Sequence, residues 1–323
     1  MKILITGGLG FAGCTLTKHL LKIGHEVTVI DKLLFNINQL HTFKKKNFRF
    51  FKIDILNYKK INEFLKNNKF DTIIHLAAIV GDPACRVNEK LTLKTNLEAS
   101  QKLFNEAKKN NVKNFVFFST CSNYGLSKNN KLLKETDDLK PLSTYARTKV
   151  KFEKFLLKDK SKTKKIVLRI STLYGVSPRM RFDLTINEFV KKVYLNNKFE
   201  IYHADTWRPY LNLTDLSIIM GKILRSKKTI KNSNVFNVGF SDENYTKRHI
   251  VDAIKKQLPK NRNFKFVDKD FFDKRNYKVN FSKVKKFGVI KKVNLENGIK
   301  EIITYLKKSK KNKFNQKVFY NHK

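Results

Sequence analysis

Cysteine is scarce in this sequence, and long apolar runs are missing. The 323 residues contain three cysteines, Cys14, Cys85 and Cys121. An odd number at scattered spacing argues against a disulfide framework or a zinc knuckle and favours a reducing compartment. No stretch of about 18 apolar residues occurs, which excludes a transmembrane helix. The opening residues, MKILITGGLGFAG, enter a strand-like run without the apolar segment of a secretory signal. We therefore predict a cytoplasmic protein with no membrane span.

Acidic residues are also few, at 27 against 69 lysines and arginines, which gives a net charge of +42. Such an excess suggests nucleic acid or an anionic membrane as a partner. However, 58 of the basic residues are Lys and 11 are Arg, and they are spread along the whole chain. Proteins that recognise bases and phosphates favour the planar guanidinium group of Arg over the ammonium group of Lys. We interpret the charge as a coding bias that places lysines on solvated faces, which makes a nucleic-acid partner the weaker hypothesis. An RNA- or polyanion-binding protein on a retained scaffold stays as the alternative.

The remaining composition describes a folded chain, because 41% of residues are hydrophobic and 12% aromatic. Short apolar runs alternate with amphipathic stretches in the first half. The predicted strands are 2–6, 26–31, 48–54, 71–76, 114–119 and 165–170, and the predicted helices are 11–23, 58–66, 88–109 and 143–157. This alternation predicts an α/β fold, a Rossmann doubly wound parallel sheet with its ligand at the carboxyl ends of the strands.

After Gly175 the alternation loosens into short segments and helices, with no internal repeat and no linker rich in Pro, Gly or Ser. We predict a dinucleotide-binding domain over 1–175 and a smaller C-terminal α/β substrate lobe over 176–306, with a cleft between them. The lysine-rich residues 307–323 lack periodicity, and we expect them to form a basic tail that frays.

A glycine-rich loop follows the first predicted strand. ITGGLGFAG places Gly7, Gly10 and Gly13 at the spacing G-x-x-G-x-x-G, directly before the first predicted helix. Glycine lets the backbone approach a pyrophosphate, and a helix N-terminus presents free N–H groups to that anion. The second strand ends at Asp31, which is placed to accept the adenosine ribose hydroxyls and favours NAD over NADP. Asp54, after the third strand, is either an adenine contact or a turn cap.

A tyrosine and a lysine are spaced four residues apart in STYARTK. Tyr145 and Lys149 then share one face of the predicted helix. A free phenol has a pKa near 10, and a neighbouring ammonium stabilises the phenolate and lowers that value. Tyr145 is therefore the candidate to move the proton of a substrate hydroxyl during hydride transfer. Thr120, at the end of the fifth strand, is placed to hydrogen-bond the same oxygen.

Five segments, TGGLGFAG, HLAA, STCSNYG, YARTK and LRISTLYG, together resemble the extended short-chain dehydrogenase/reductases, and within them the nucleotide-sugar epimerases and dehydratases. The resemblance covers nearly the whole chain. It implies NAD as cofactor, Thr120, Tyr145 and Lys149 as catalytic residues, and a nucleotide sugar bound by the C-terminal lobe. The cofactor-binding positions that it implies are Gly7, Gly10, Phe11, Ala12, Gly13, Asp31, Asp54, Ile55, Leu76, Ala77, Ala78, Asn96, Tyr145 and Lys149.

Four longer segments, VIDKLLF, AAIVGDPAC, GVSPRMRFDLTINEFV and DKRNYKV, are similar to a subgroup that includes the GDP-heptose 4-dehydrogenase of capsule synthesis. For the substrate's diphosphate and nucleotide this resemblance offers Arg179, Arg181, Arg208 and Arg275. The Arg fork meets phosphate oxygens in pairs, although each of these arginines is alternatively part of a surface ion pair.

The sequence departs from the family at two places. The 4,6-dehydratases carry Asp-Glu directly after the catalytic Thr, where this chain has Cys121 and Ser122, so we expect no dehydratase activity. Thr172 stands where galactose-type 4-epimerases commonly have Asn. The resemblance thus predicts hydride removal at C4 in surface-glycan biosynthesis and leaves open the sugar, the nucleotide, and whether the net reaction is 4-epimerisation or 4-dehydrogenation. It further implies a homodimer. No spacing of candidate ligands indicates a metal site, and His75 is interpreted as shaping the end of its strand.

Overall fold

The structure is a computed structural model that describes residues 1–35, 40–43, 46–127, 131–226, 233–260, 263–267, 275–309, 314 and 316–321. Its strands, in chain order, are β1 (Lys2–Thr6), β2 (Glu26–Asp31), β3 (Phe48–Lys52), β4 (Thr72–His75), β5 (Asn114–Thr120), β6 (Leu132–Leu133), β7 (Lys164–Ile170), β8 (Thr172–Tyr174), β9 (Phe199–Tyr202), β10 (Trp207–Asn212), β11 (Ser233–Val238), β12 (Asn244–Thr246), β13 (Phe264–Val267) and β14 (Lys278–Val279). Its α-helices are α1 (Phe11–Lys22), α2 (Tyr58–Asn67), α3 (Asp82–Val87), α4 (Glu89–Leu93), α5 (Ala99–Lys109), α6 (Thr144–Lys158), α7 (Thr185–Tyr194), α8 (Leu213–Arg225), α9 (Lys247–Gln257), α10 (Ser282–Lys285) and α11 (Leu295–Lys308).

Seven parallel strands form the central sheet in the order β11-β7-β5-β4-β1-β2-β3. The order reverses between β1 and β4, and a doubly wound sheet opens its ligand crevice at that point, outside the carboxyl ends of the strands. The predicted α/β class and Rossmann sheet are confirmed.

The sheet is covered on both faces, as the nearly continuous apolar strands require. Successive side chains of β1 alternate between the two cores: Ile3 and Ile5 belong to the larger apolar cluster, and Leu4 belongs to the smaller one. All three are fully buried. The larger cluster continues through α1 and α8 into the C-terminal lobe, so the lobe and the sheet share one core.

The lobe is built from short sheets, β12-β10-β8, β13-β9 and β14-β6, with α7, α9 and α11 packed around them. One strand from this part of the sequence leaves the lobe. β11 pairs with β7 over the register Ser233↔Lys165 to Val238↔Ile170 and forms the edge of the central sheet. The segment assigned mainly to the lobe therefore also supplies the seventh strand of the Rossmann domain.

Two predicted features differ in detail. The single helix expected over 88–109 is two α-helices, α4 and α5, joined by a π-helical segment at Lys94–Glu98. The C-terminal tail does not fray throughout, because among its described residues Phe314 and Tyr320 are buried and Phe319 is half-buried. Phe314 packs edge-on against Phe182 at 5.6 Å between ring centroids, and Phe182 donates its N–H to the carbonyl of Phe319 at 2.9 Å. Burial of these rings stabilises the packed position of the tail, although the segment is lysine-rich and lacks periodicity.

Candidate active site

A cavity of about 460 Å³ lies at the carboxyl ends of the central strands, between the sheet and the C-terminal lobe. Nearly all of the site residues proposed from the sequence line it. These are Gly7, Gly10, Phe11, Ala12, Gly13, Asp31, Asp54, Ile55, Leu76, Ala77, Ala78, Thr120, Tyr145, Lys149, Arg179, Arg181, Arg208 and Arg275. The structure thus brings together residues from nine separate stretches of the sequence.

The glycine loop is shaped for close approach of a ligand to its backbone. Gly7 has φ = +70°, and a Cβ there would lie 2.7 Å from the nitrogen of Ala77, so no other residue fits without a shift. A Cβ on Gly13 would lie 2.5 Å from the carbonyl oxygen of Gly7. Gly10 caps α1 and offers no side chain to the amides of the first helical turn. The open helix terminus and the bare backbone fit a dinucleotide pyrophosphate.

The two acidic residues beside this loop have different surroundings. The carboxylate of Asp31 accepts N–H groups from Leu9 at 3.1 Å and Leu33 at 2.9 Å, which ties the end of β2 to the glycine loop. Burial raises the pKa of Asp31, and these two hydrogen bonds oppose the rise. Asp54 accepts the N–H of Leu56 at 3.0 Å and forms an ion pair with Lys32 at 3.4 Å. One oxygen of Asp54 thus caps a turn, which was the structural one of the two roles considered for this residue, the other being a contact to adenine.

Asn96 is the one predicted cofactor residue that does not line the cavity. Its side chain accepts the N–H of Ile79 at 2.8 Å and donates to the carbonyl of Ile79 at 2.9 Å. It lies in the π-helical segment, a feature that is frequent at functional sites. Asn96 therefore does not face the cavity itself. Its two hydrogen bonds hold the backbone of the loop after β4, and this loop forms one wall of the cavity.

The catalytic candidates come from β5 and α6. Thr120 ends β5, and its hydroxyl accepts the N–H of Ser122 at 3.1 Å, which fixes its rotamer at the cavity wall. Ser143 caps α6 by accepting the N–H of Ala146 at 3.2 Å, so the helix begins at Thr144, one residue before Tyr145. Lys149 follows one turn later, 3% exposed, with its ammonium 5.8 Å from the centroid of the Tyr145 ring.

The electrostatics of this pair correct the expectation from the sequence. Burial raises the pKa of Tyr145, and the neighbouring Cys85 and Asp82 raise it further. Arg181 and Arg275, from the lobe, are charges that lower it. Burial also lowers the pKa of Lys149 to about 8.

Two of the lobe arginines are already balanced by carboxylates. Arg181 donates to both oxygens of Asp183, at 2.9 and 2.7 Å, and both side chains are nearly buried. Arg275 contacts Asp82 at 2.9 Å and the hydroxyl of Ser122 at 3.3 Å. These ion pairs lie inside the cleft rather than on the surface, so they set the charge that a substrate meets.

Arg208 is placed differently, at the start of the β10–β12 pairing. It donates to the carbonyl of Trp207 at 2.8 Å, and its guanidinium lies 5.1 Å from the centroid of the Tyr277 ring. The ring of Tyr277 and the carbonyl of Trp207 hold the guanidinium group of Arg208 at the cavity wall.

A family model described as the NAD dependent epimerase/dehydratase family matches residues 3–239. The chain belongs to this family. Its cofactor is accordingly NAD, and the glycine loop, Asp31 and Lys149 line the cavity that fits a dinucleotide.

Three similar proteins show the range of the family. The UDP-glucuronate 4-epimerase of Thermodesulfobacterium geofontis is 26% identical, over 95% of this chain and 96% of its own. The dTDP-D-glucose 4,6-dehydratase of Dictyostelium discoideum is 26% identical, over 96% of this chain and 82% of its own. The crystal structure of the UDP-glucuronic acid 4-epimerase of Bacillus cereus, in complex with UDP-glucuronic acid and NAD, superposes with a TM-score of 0.84 at 24% identity and covers 95% of this chain and 99% of its own.

A buried polar network supports β5, the strand that ends at the catalytic candidate Thr120. Glu153, one turn beyond Lys149 on α6, accepts from the hydroxyl of Ser119 at 3.0 Å and pairs with Arg169 of β7. Arg169 also donates to the hydroxyl of Tyr124 at 2.9 Å. The network holds both neighbours of Thr120 in the chain, because Cys121 donates its thiol to the carbonyl of Arg169 at 3.2 Å.

The remaining nucleophilic and metal-ligating side chains take structural roles. Cys121 is buried, and burial raises the pKa of its thiol. His75 bonds the hydroxyls of Thr6 and Ser100, and burial lowers its pKa to about 3. Among the described residues, no group of three or more His, Cys, Asp or Glu side chains forms a metal site. Within the same residues, no helix is both long and apolar enough to cross a membrane.

The sequence analysis missed several residues that line the cavity. Phe35 follows β2, Lys247 begins α9, Tyr277 precedes β14, and Asn321 lies near the end of the chain. Tyr277 lies two residues after Arg275 in DKRNY, so this motif was a signal from which its position near the cavity could have been predicted. Phe35 ends the quoted segment VIDKLLF, whereas no signal in the sequence pointed to Asn321.

Proposed function

We propose that this protein is an NAD-dependent oxidoreductase that acts at C4 of a nucleotide-activated sugar, with 4-epimerisation as its net reaction. The observation that carries the proposal is that Thr120, Tyr145 and Lys149 share one cavity with Arg208, Arg275 and the glycine loop. A site for a redox cofactor, a phenol that moves a proton, and cations that bind a diphosphate are what this chemistry requires.

We assign the cofactor groove to the glycine loop and its neighbours. Gly7, Gly10 and Gly13 allow the backbone to approach the diphosphate, and Asp31 accepts the hydroxyls of the adenosine ribose. NAD, when bound there, supplies the removal of a hydride from the sugar carbon and its return. Lys149 is placed to bond the ribose next to the nicotinamide while it stays fixed to β5.

Tyr145 is the group that removes the proton of the C4 hydroxyl. Thr120 holds that oxygen through a hydroxyl whose rotamer is fixed by the N–H of Ser122. Because burial raises the pKa of Tyr145, the phenolate depends on nearby cations, and Arg181 and Arg275 are the charges that favour it. Oxidation leaves a ketone at C4 and the proton on Tyr145. If the keto sugar then rotates in the site, return of the hydride to the opposite face of C4 and of the proton from Tyr145 to the C4 oxygen would invert the centre.

Two observations bear on the net reaction. Similarity to a UDP-glucuronate 4-epimerase along 95% of this chain favours epimerisation. The second candidate, a net 4-dehydrogenase that releases the ketone, is favoured by the resemblance of four segments to the subgroup that includes the GDP-heptose 4-dehydrogenase. Thr172, in the cavity wall where galactose-type 4-epimerases commonly have Asn, leaves the identity of the sugar open. We further propose that the reaction is not 4,6-dehydration, because Cys121 is turned into the core and Ser122 lacks a carboxylate.

The experiment is a turnover panel of purified protein and NAD with UDP-, GDP- and dTDP-sugars, including a GDP-heptose. Inversion of C4 without accumulation of NADH supports the epimerase. NADH that accumulates with a keto sugar supports the dehydrogenase. Absence of turnover across the panel, together with tight and salt-dependent RNA binding, supports the polyanion-binding alternative instead.

The biological setting rests on the resemblance of the sequence. We propose that the reaction belongs to the synthesis of a surface glycan in the cytoplasm and that the working unit is a homodimer. Size-exclusion chromatography with light scattering tests the second point directly.

A further inference from the structure

One arginine of the cleft lies on the cofactor side, although its sequence motif suggested the substrate. Arg179 is 2% exposed and lines the cavity together with the glycine loop. Two residues earlier, the hydroxyl of Ser177 donates to the carbonyl of Phe11, the first residue of α1, at 2.8 Å. Arg179 is also close enough to Cys14, on α1, that its charge opposes the rise in the pKa of that thiol caused by burial. The backbone of this lobe segment is therefore fixed against the first turns of α1.

The side chain of Arg179 extends from there toward the end of β2. Its guanidinium lies 3.8 Å from the centroid of the Phe35 ring, four residues after Asp31. The guanidinium and the Asp31 carboxylate are close enough that each shifts the pKa of the other. Arg179 thus spans the stretch between the N-terminus of α1 and Asp31, which is where the ADP half of a dinucleotide lies in a Rossmann crevice.

The guanidinium has capacity for an anion. One terminal nitrogen donates to the side-chain oxygen of Asn321 at 2.8 Å. The Nε of Arg179 is buried and has no hydrogen-bond partner within the part of the chain that the structure describes. A buried donor without a partner is costly, so its position beside an uncapped helix N-terminus points to a ligand that supplies the missing acceptor.

The C-terminal segment holds this arginine in place. Asn321 accepts from Arg179, donates its amide to the carbonyl of Val80 at 3.0 Å, and places its own N–H 3.2 Å from Asp183. Tyr320, just before it, is buried and hydrogen-bonded to Lys191. The tail therefore connects the wall after β4 to the segment that carries Arg179.

We infer that Arg179, positioned by Asn321, binds the diphosphate of the dinucleotide, so that the lobe and the C-terminal segment complete the cofactor site. The inference deepens the proposed function, on which it rests for the division of the cleft between cofactor and sugar nucleotide. The guanidinium supplies two-point hydrogen bonds and a charge opposite the amides of α1, and the Phe35 ring sets its plane.

Calorimetric titration of the full chain tests the inference without turnover. The probes are ADP-ribose, which carries the diphosphate, adenosine, which lacks it, and UDP and GDP for the sugar-nucleotide end. For Arg179→Gln we expect the Kd of ADP-ribose to rise about tenfold or more, and the Kd values of adenosine, UDP and GDP to stay within about twofold. Arg179→Lys restores part of the loss because it keeps the charge. Asn321→Ala raises the Kd of ADP-ribose by about threefold.

Two controls match these variants. Arg248→Gln removes an arginine from an exposed ion pair with Asp205, and Gln316→Ala changes an exposed residue of the same C-terminal segment. Neither change is expected to alter the affinity for ADP-ribose. A loss of UDP or GDP binding in Arg179→Gln with unchanged ADP-ribose binding overturns the inference and returns Arg179 to the substrate. Unchanged binding of all probes also overturns it.

A loss of folding in Arg179→Gln does not leave the question open. Thermal unfolding identifies that case, and Arg179→Lys with Asn321→Ala then decides it, since wild-type ADP-ribose affinity in both contradicts the inference. A chain that binds ADP-ribose through Arg179 but turns over no nucleotide sugar supports this inference while it removes the proposed function.

Discussion

Lys149 donates its ammonium proton to the main-chain carbonyl of Phe118 at 2.9 Å. This bond joins α6, which carries Tyr145, to β5, which ends at Thr120. The ammonium also lies 4.7 Å from the centroid of the Phe117 ring. The three catalytic candidates are therefore coupled through one buried cation before any ligand is considered, and the burial of that cation lowers its pKa to about 8.

The buried ammonium of Lys149 is expected to lower the stability of the fold while it is needed for activity. In the unfolded chain a lysine titrates near 10.5, so a folded pKa of about 8 means that the unfolded state holds the proton more tightly. The cost is fully present below pH 8, at about 3 kcal/mol, and it disappears as the pH rises from 8 to 10.5. We expect Lys149→Met to raise the free energy of unfolding of the cofactor-free protein at pH 7 and to abolish turnover.

Urea denaturation at pH 7 and pH 10 measures this effect. The stabilisation by Lys149→Met is expected to shrink at the higher pH. Lys151→Met, on the exposed face of the same helix, is the control and is expected to change stability by less than about 0.5 kcal/mol. Equal stabilisation at both pH values would contradict the proposed origin of the effect.

Tyr145→Phe removes the phenol and keeps the ring. We expect turnover to fall by about 10²- to 10⁴-fold, the usual contribution of a general acid–base group. The Kd of NAD is expected to change by less than about threefold, because the glycine loop and Asp31 are untouched. Steady-state assays measure the turnover rate, and titration with NAD measures its Kd. Full turnover in Tyr145→Phe would disprove the mechanism.

The pH dependence of sugar oxidation follows from the surroundings of Tyr145. Its pKa is raised by burial, Cys85 and Asp82, and lowered by Arg181 and Arg275. Since the base must lose its proton first, we expect kcat/KM for oxidation to increase with pH. Arg275→Gln removes a cation and leaves Asp82 without its partner, so both effects shift the apparent pKa upward. Arg248→Gln is the control, and an unshifted or lowered profile in Arg275→Gln would argue against Tyr145 as the titrating base.

Local patterns predicted most of the fold and the reactive groups. Gly7, Asp31 and Tyr145 each belong to a short motif whose geometry is set within one βα unit, so spacing alone placed them correctly around the cavity. The π-helical segment was not predicted, because periodicity does not distinguish it from a continuous α-helix. The pKa of Tyr145 depends on arginines contributed from the lobe, which no spacing on α6 reveals.

Long-range contacts account for the parts that the sequence did not predict. Asn321 meets the carbonyl of Val80 across 241 positions of sequence, and nothing in a lysine-rich tail signals such a contact. The aromatic residues between those lysines were the available clue. Phe314 is 1% exposed, and a ring that finds an apolar surface outweighs the neighbouring charges, which stay in solvent.

We predict that this protein has no 4,6-dehydratase activity. The prediction needs a direct test, because one similar protein, 26% identical to this chain, is a 4,6-dehydratase. Elimination of water needs an acid and a base beyond the redox step. The position after Thr120 holds a buried thiol whose pKa is raised, and the next holds a serine. We expect no 4-keto-6-deoxy sugar from dTDP-glucose, UDP-glucose or GDP-mannose. Mass spectrometry that detects loss of water from any of them would contradict this prediction.

Glu153 is expected to be the most stability-sensitive carboxylate of the site. It is buried, pairs with Arg169, and accepts from Ser119 at 3.0 Å, so Glu153→Ala leaves a buried guanidinium without its counter-charge. Breaking one partner of such a pair costs about 3–5 kcal/mol, whereas an exposed pair costs under about 1 kcal/mol. Glu106→Ala, which removes the partner of the largely exposed Lys109, is the control. Urea denaturation measures both variants.

The double variant Glu153→Met with Arg169→Met separates charge from packing in this network. Because it removes both ions, it is expected to recover much of the stability lost in Glu153→Ala. Turnover is not expected to recover, since Ser119 loses its acceptor and Thr120, the next residue, loses the support that this hydrogen bond gives. A double variant with wild-type kcat would show that the network serves stability alone. A Glu153→Ala cost below 1 kcal/mol would show that the buried arginine finds another partner.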